Sequence, residues 1–306
     1  MFFKLAKFEF NYFRKQPSFY VISIIFFLLT FFAMISDNVR IGSGGNVNYN
    51  SPHAITQTML IMSLIGMFLV ANFVGGTATR DYANKMDGII NATPLGKFSY
   101  LWGRLFGALC FCLLVFATVP LGTFIGSFWY SVDVERLGPT ILTPYFWAYL
   151  VFVIPNFIFC SALFYSFAVL TRSMMGMYLG VIGFFILYNV SNQLLDNPAT
   201  LQLATMLDPF GLSAFSEMTR YWTPFERNTQ LVELSGNLLI NRGVWLGMAL
   251  LIIALVHFFV DIRKIKTVKS GKQKKKNLGT APTSYQPVKA MAGVGVDWQR
   301  FRLRTS

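Results

Sequence analysis

Very few residues in this chain have the types and spacing that bond-making chemistry needs. It has two histidines, His53 and His257, and neither sits in an H-E-x-x-H pair, so zinc hydrolysis has no ligand set. The three cysteines, Cys110, Cys112 and Cys160, all lie in apolar runs and form neither a disulfide framework nor a paired C-x-x-C site. No G-x-x-x-x-G-K-[ST] occurs, so no loop is built to cradle nucleotide phosphates. The reading is a non-catalytic chain with no catalytic residues, no metal and no cofactor of its own.

The most informative stretch runs from Thr79 to Lys97. Tyr82, Met86, Ile89 and Ile90 follow one another at i, i+4, i+7 and i+8, an apolar helical stripe. Arg80, Asn84, Lys85, Asp87 and Asn91 take the other side, and Pro94 and Gly96 end the run. The spacing predicts a short amphipathic helix. It either rests on a bilayer or docks its side chains in a soluble partner, and the second reading makes it a coupling helix.

The elements that must position this loop follow from composition. Of 306 residues, 54% are apolar and only 13% charged. Soluble domains carry about 25% charged residues. A soluble globule of this make-up would present large apolar patches to water. Uncharged runs at 16–36, 41–79, 105–132, 137–171, 173–195 and 243–260 can each hold a span. Six helices are expected at about 19–36, 56–77, 100–128, 145–170, 174–195 and 243–261. The expectation that no span carries an ionisable side chain in its interior argues against a proton relay or voltage sensor. The fold class is therefore all-α membrane protein with six transmembrane helices.

The net charge of +13 is unevenly distributed. With the N-terminus inside, 21 basic residues fall on the inner side and five on the outer. That asymmetry predicts cytoplasmic N- and C-termini and removes the case for nucleic acid.

Residues 1–18 form an amphipathic segment broken at Pro17. Lys4, Lys7, Asn11, Arg14 and Lys15 share one face, flanked by Phe3, Ala6, Phe10 and Phe13. An interfacial helix is expected, aromatic side toward lipid. Glu9 breaks the apolar face. It either snorkels or pairs with a local lysine, or it makes an ion pair with the loop or a partner.

The 79–104 region resembles the cytoplasmic loop of ABC-2-type exporter permeases. Arg80-Asp81 opens it, Ala92-Thr93-Pro94-Leu95-Gly96-Lys97 forms its corner, and Tyr100-Leu101-Trp102-Gly103-Arg104 leads into the third span. The likeness extends over about residues 1–265 and departs at Met86-Asp87-Gly88, where many members have a Gly-Thr pair. The resemblance implies three parts: an interfacial helix at 1–18, a transmembrane domain at 19–262 and a basic tail at 263–306. The domain would include the coupling loop at 78–98 and an outer loop at 196–242.

As function it implies half of an export pathway in a bacterial inner membrane. ATP and Mg would be handled by separate ABC ATPase subunits, and a second permease half would complete the pathway as a homodimer or related chain. The contacts to that ATPase fall to Asp81, Tyr82, Lys85, Met86, Ile89, Ile90 and Pro94. The outer loop also resembles permease halves that accompany an M1-type aminopeptidase. A secondary transporter, and a membrane scaffold for an enzyme such as a peptidase, stand as alternatives.

Other expectations are local. Asn189, Ser191, Asn192 and Gln193 either line a pathway or cap the fifth span. Lys272, Lys274, Lys275 and Lys276 either bind anionic lipid headgroups or only anchor the topology. Gly103/Gly107, Gly122/Gly126 and Gly176/Gly180 repeat the small-xxx-small spacing and serve either bundle packing or a dimer seam. Pro120 and Pro155 should kink their spans.

Overall fold

The computed structural model describes residues 1–36, 38–84, 86, 95–129, 132–194 and 200–260, apart from the side chains of Tyr82, Asn192 and Leu201. The described residues form helices and loops without a strand. Six helices are long and apolar enough to cross a membrane: Pro17–Ile35, Pro52–Asp81, Lys97–Gly126, Thr143–Thr171, Met174–Ser191 and Gly236–Phe259. The chain thus has the build of a multi-pass membrane protein.

Helix α1 (Phe2–Arg14) precedes α2 (Pro17–Ile35), and Pro17 sits at the first turn of α2, where its missing N–H costs nothing. Helix α3 (Pro52–Ala83) runs farther than the apolar count predicts and carries Arg80 and Asp81 in its last turn. The third span is two helices, α4 (Lys97–Phe116) and α5 (Thr118–Gly126). They part at Ala117 because Pro120 has no N–H for the Phe116 carbonyl and its ring crowds that group. The fourth span begins as α6 (Thr143–Ala148), widens into a π turn at Tyr149–Val153 and continues as α7 (Ile154–Thr171). Pro155 deprives the Val151 carbonyl of its donor in the same way, and the wider turn accommodates it. Helix α8 (Met174–Leu194) follows, then the short helices α9 (Leu201–Leu207), α10 (Leu212–Met218) and α11 (Pro224–Thr229), and finally α12 (Gly236–Phe259).

The small-xxx-small pairs are filled from within the chain. A Cβ at Gly107 would overlap the Ala6 carbonyl, and one at Gly103 would stand 2.9 Å from the Phe2 carbonyl oxygen. These two glycines let α1 lie directly on the α4 backbone. Gly122 does the same for α2, whose Thr30 hydroxyl and Phe27 carbonyl occupy the space a side chain would take, and Gly126 abuts Met34. Gly176 and Gly180 meet Thr171 and Phe167 of α7. No room remains at these positions for a helix from another copy.

Aromatic rings fill the interior. Phe73 lies 5.1 Å from both Phe13 and Phe111, and Phe116 lies 4.9 Å from Phe157, in edge-on arrangements that suit the ring quadrupoles. Phe13 thus anchors α1 to the bundle. Helix α2 is the opposite case: only 17% of its span is covered, leaving Val21, Ile24, Ile25 and Phe32 exposed. Such a surface suits lipid rather than water.

Candidate functional site

Four ionic side chains meet where α1, the end of α3 and the start of α4 converge, which we term the basal end. Glu9 comes from α1, Arg80 and Asp81 from α3, and Arg104 from α4. Arg104 donates from Nε to Glu9 Oε1 at 2.7 Å, from Nη2 to the Thr77 carbonyl at 2.6 Å, and from Nη1 to Asp81 Oδ2. Arg80 donates to the same Glu9 oxygen at 2.6 Å, with its guanidinium 4.1 Å from the Tyr12 ring centroid. Tyr100 donates from its hydroxyl to Asp81 Oδ2 at 2.5 Å and accepts from Arg104 Nη1 at 3.0 Å.

The cluster is buried and balanced. Glu9 is 1% exposed, Arg104 4% and Asp81 8%. Two guanidiniums offset two carboxylates. Taking each ion from water costs several kcal/mol, which only close pairing and further hydrogen bonds offset. Arg104 meets that demand with carboxylates on two other helices and a carbonyl. Glu9 is thus an inter-helix ion-pair residue: its partners are Arg80 and Arg104, not a lysine of its own helix.

This differs from the expectation that the spans are free of buried ions. The sequence reading places Arg80 in the loop and Arg104 at the lead-in to the third span. The helices run farther than the uncharged runs do, because paired ions can enter a helical bundle that unpaired ions cannot. The sequence does carry one signal for Arg104: an arginine followed by 28 uncharged residues, at the mouth of a span, needs a partner.

The basal end has a second tie. Trp102 Nε1 donates to His257 Nδ1 at 3.1 Å, and Lys97 Nζ donates to the His257 carbonyl. A lysine on α4 thereby satisfies a carbonyl in the last turn of α12 that has no donor within its helix. At the other end, His53 Nδ1 lies 3.0 Å from the Gly42 carbonyl oxygen. Both histidines serve packing contacts.

No protein-family model matches the chain. A comparison with curated proteins also finds no match. The functional reading therefore rests on the residues themselves.

Of the expected coupling residues, Asp81 and Tyr82 belong to α3 rather than to a separate loop helix. Met86 follows with its side chain 46% exposed, and its N–H donates to the Asp81 carbonyl at 2.9 Å. Lys85, Ile89, Ile90 and Pro94 lie outside the described residues, as do Lys272, Lys274, Lys275 and Lys276. Of the interfacial set, Phe13 is buried, Phe10 half-buried and Arg14 exposed. Helix α1 therefore turns part of its aromatic face onto protein.

Of the expected pathway residues, Ser191 is fully buried and holds the outer loop, its hydroxyl bonded to the Ala204 carbonyl at 2.8 Å and to Ser213 Oγ at 2.9 Å. Asn189 is exposed and bonds back to the Phe185 carbonyl, and Gln193 is exposed. The Asn192 side chain is outside the described residues.

The distal end holds a polar network that the sequence reading missed. Arg242, 4% exposed, donates to Asn156 Oδ1 at 2.7 Å and to Asn241 Oδ1 at 2.6 Å. Asn156 donates to Ser63 Oγ and to the Phe210 carbonyl, both at 3.1 Å. Asn241 donates to the Asp208 carbonyl at 2.8 Å. Asp208 caps the turn, accepting from the Phe210 and Ser213 amides at 2.8 and 2.6 Å. Burial holds its carboxyl above the ordinary value, against the downward pull of these amides and of Arg242. The turn at 208–211 thus inserts among the spans, with the Phe210 ring 5.0 Å from Phe184. A Cβ at Gly211, where φ is +80°, would collide with the Arg242 guanidinium. The sequence reading puts Arg242 at the end of the outer loop, because the apolar run begins one residue after it.

Proposed function

We propose that this chain is the permease subunit of an ATP-driven exporter of the ABC-2 type, forming half of a translocation pathway. A separate ABC ATPase hydrolyses ATP with Mg, and a second permease half, identical or related, completes the path. The site of action is a bacterial inner membrane with both termini in the cytoplasm. An M1-like peptidase is a further neighbour in this reading.

The observation that carries the reading is the shared ion cluster at the root of the 84–96 loop. Glu9, Arg80, Asp81 and Arg104 join the N-terminal helix to both stems of that loop. Force applied to the loop by a closing ATPase is passed to α1, α3 and α4 together. A loop on independent stems would dissipate the same displacement locally. The ATPase then biases two packings of the bundle through contacts that differ between them. Met86 is 46% exposed just past the end of α3, where its side chain can reach a partner's groove.

The test is purification of the full chain from its native membrane in mild detergent. The expected result is a co-purifying subunit with a phosphate-binding loop, whose ATP turnover depends on this chain. A complex with no nucleotide-binding subunit, or transport that stops when the proton gradient collapses while ATP persists, overturns the proposal.

A further inference from the structure

Beside the ion cluster, α1 carries a second feature. An open groove of about 390 Å³ runs between α1 and α4. Phe10, Phe106, Cys110 and Ala6 give it apolar walls, and Lys7 is the only charged residue lining it. Lys7 is exposed and has no acidic partner among the described residues. Lys4 and Arg14 are also exposed on α1. Glu9, the one acid on this helix, is neutralised by two arginines, so it does not repel an anion arriving at Lys7. Phe106 and Cys110 are one turn apart, so they form one apolar wall along the α4 axis.

We propose that this groove holds one acyl chain of an anionic phospholipid, with the phosphate on Lys7 and the chain along Phe106 and Cys110. The charge pattern selects this occupant. A zwitterionic lipid brings a cation to a site that has only a cation, and an apolar partner helix leaves Lys7 facing no anion. The inference rests on α1 lying at a membrane surface and is independent of any ATPase.

Native mass spectrometry of the detergent-purified full chain tests it, with phosphatidylglycerol and phosphatidylcholine added in equal amounts. Preferential retention of one phosphatidylglycerol is expected. Lys7→Gln should lower that retention about fivefold without changing phosphatidylcholine. Removal of the basic tail after residue 265 should leave this site occupied. Soluble glycerol 3-phosphate should fail to displace the lipid, because it lacks the chain that the groove holds. A photoactivatable phosphatidylglycerol with its reactive group in the acyl chain, used on the unaltered protein, should label residues 106–110. Equal retention of the two lipids, indifference to Lys7→Gln, displacement by glycerol 3-phosphate, or adducts confined to other helices would each overturn the proposal.

Discussion

Arg104 on the third span and Glu9 on the N-terminal helix are 95 residues apart in sequence and 2.7 Å apart in the fold. Each is buried, and each has a second counter-charge, Arg80 for Glu9 and Asp81 for Arg104. The N-terminal helix is therefore a structural part of the bundle's base, held by an ion pair as well as by aromatic packing.

Removing Glu9 leaves two arginines facing each other without their shared acceptor. Glu9→Ala is expected to destabilise the protein by about 3–5 kcal/mol, the range for breaking a buried pair from one side. Glu9→Gln keeps one acceptor oxygen and should cost less. Thermal unfolding of the detergent-purified protein measures both. A double-mutant cycle with Arg104→Met should show strong coupling, and additive effects would contradict the pairing.

At Gly107 the α4 backbone lies against the Ala6 backbone of α1, with no room for a Cβ. Gly107→Leu should force the helices apart at a cost of about 1–3 kcal/mol. Amide exchange in residues 2–14 should then rise about five- to 150-fold. Gly76→Ala is the control, since a Cβ there meets open space, and it should leave exchange unchanged.

Met86→Glu tests the lever. Its side chain is exposed, so global stability should change by less than about 0.5 kcal/mol. In the proposed complex with an ATPase, the part of ATP turnover that depends on this chain should fall. Intact turnover with intact binding would locate coupling elsewhere.

Asn156 links Ser63, Arg242 and the inserted Phe210 carbonyl. Asn156→Leu should destabilise the protein by about 2–5 kcal/mol, because a buried cation loses one acceptor and a buried carbonyl loses its donor. Hydrogen exchange should rise first in residues 204–218, which the network holds.

Acidification should loosen α11. The Glu226 carboxyl accepts from the Thr223 amide and hydroxyl, and the amide is the larger cause of its pKa lying below the ordinary 4.5. A carboxyl with a lowered folded pKa stabilises above its unfolded value, and that stabilisation is lost as pH falls through the folded value. The protection of the Thr223 amide relative to its intrinsic exchange rate should therefore fall below about pH 4.5, and Glu226→Gln should flatten the profile.

Composition alone determined that this chain is helical and membrane-suited, and charge-free runs located all six spans. Those signals are local: a helix that must cross hydrocarbon satisfies its own backbone and displays apolar side chains, whatever surrounds it. The prolines likewise announced their breaks, because the missing N–H acts within one turn. Tertiary structure alone decided where the charges go. Arg80 and Asp81 read as loop and Arg104 as the lead-in to a span, and an ion pair with the loop is one of the readings open to Glu9, but no local pattern states that its carboxylate will meet a guanidinium 95 positions away. Arg242 and Asn156 are the same case at the distal end. The GxxxG spacings marked close approach but not the partner, which proved to be the chain's own α1, α2 and α7. An ion in a bundle is tolerated only when its counter-ion arrives from another helix, and that arrival is a property of the assembled fold.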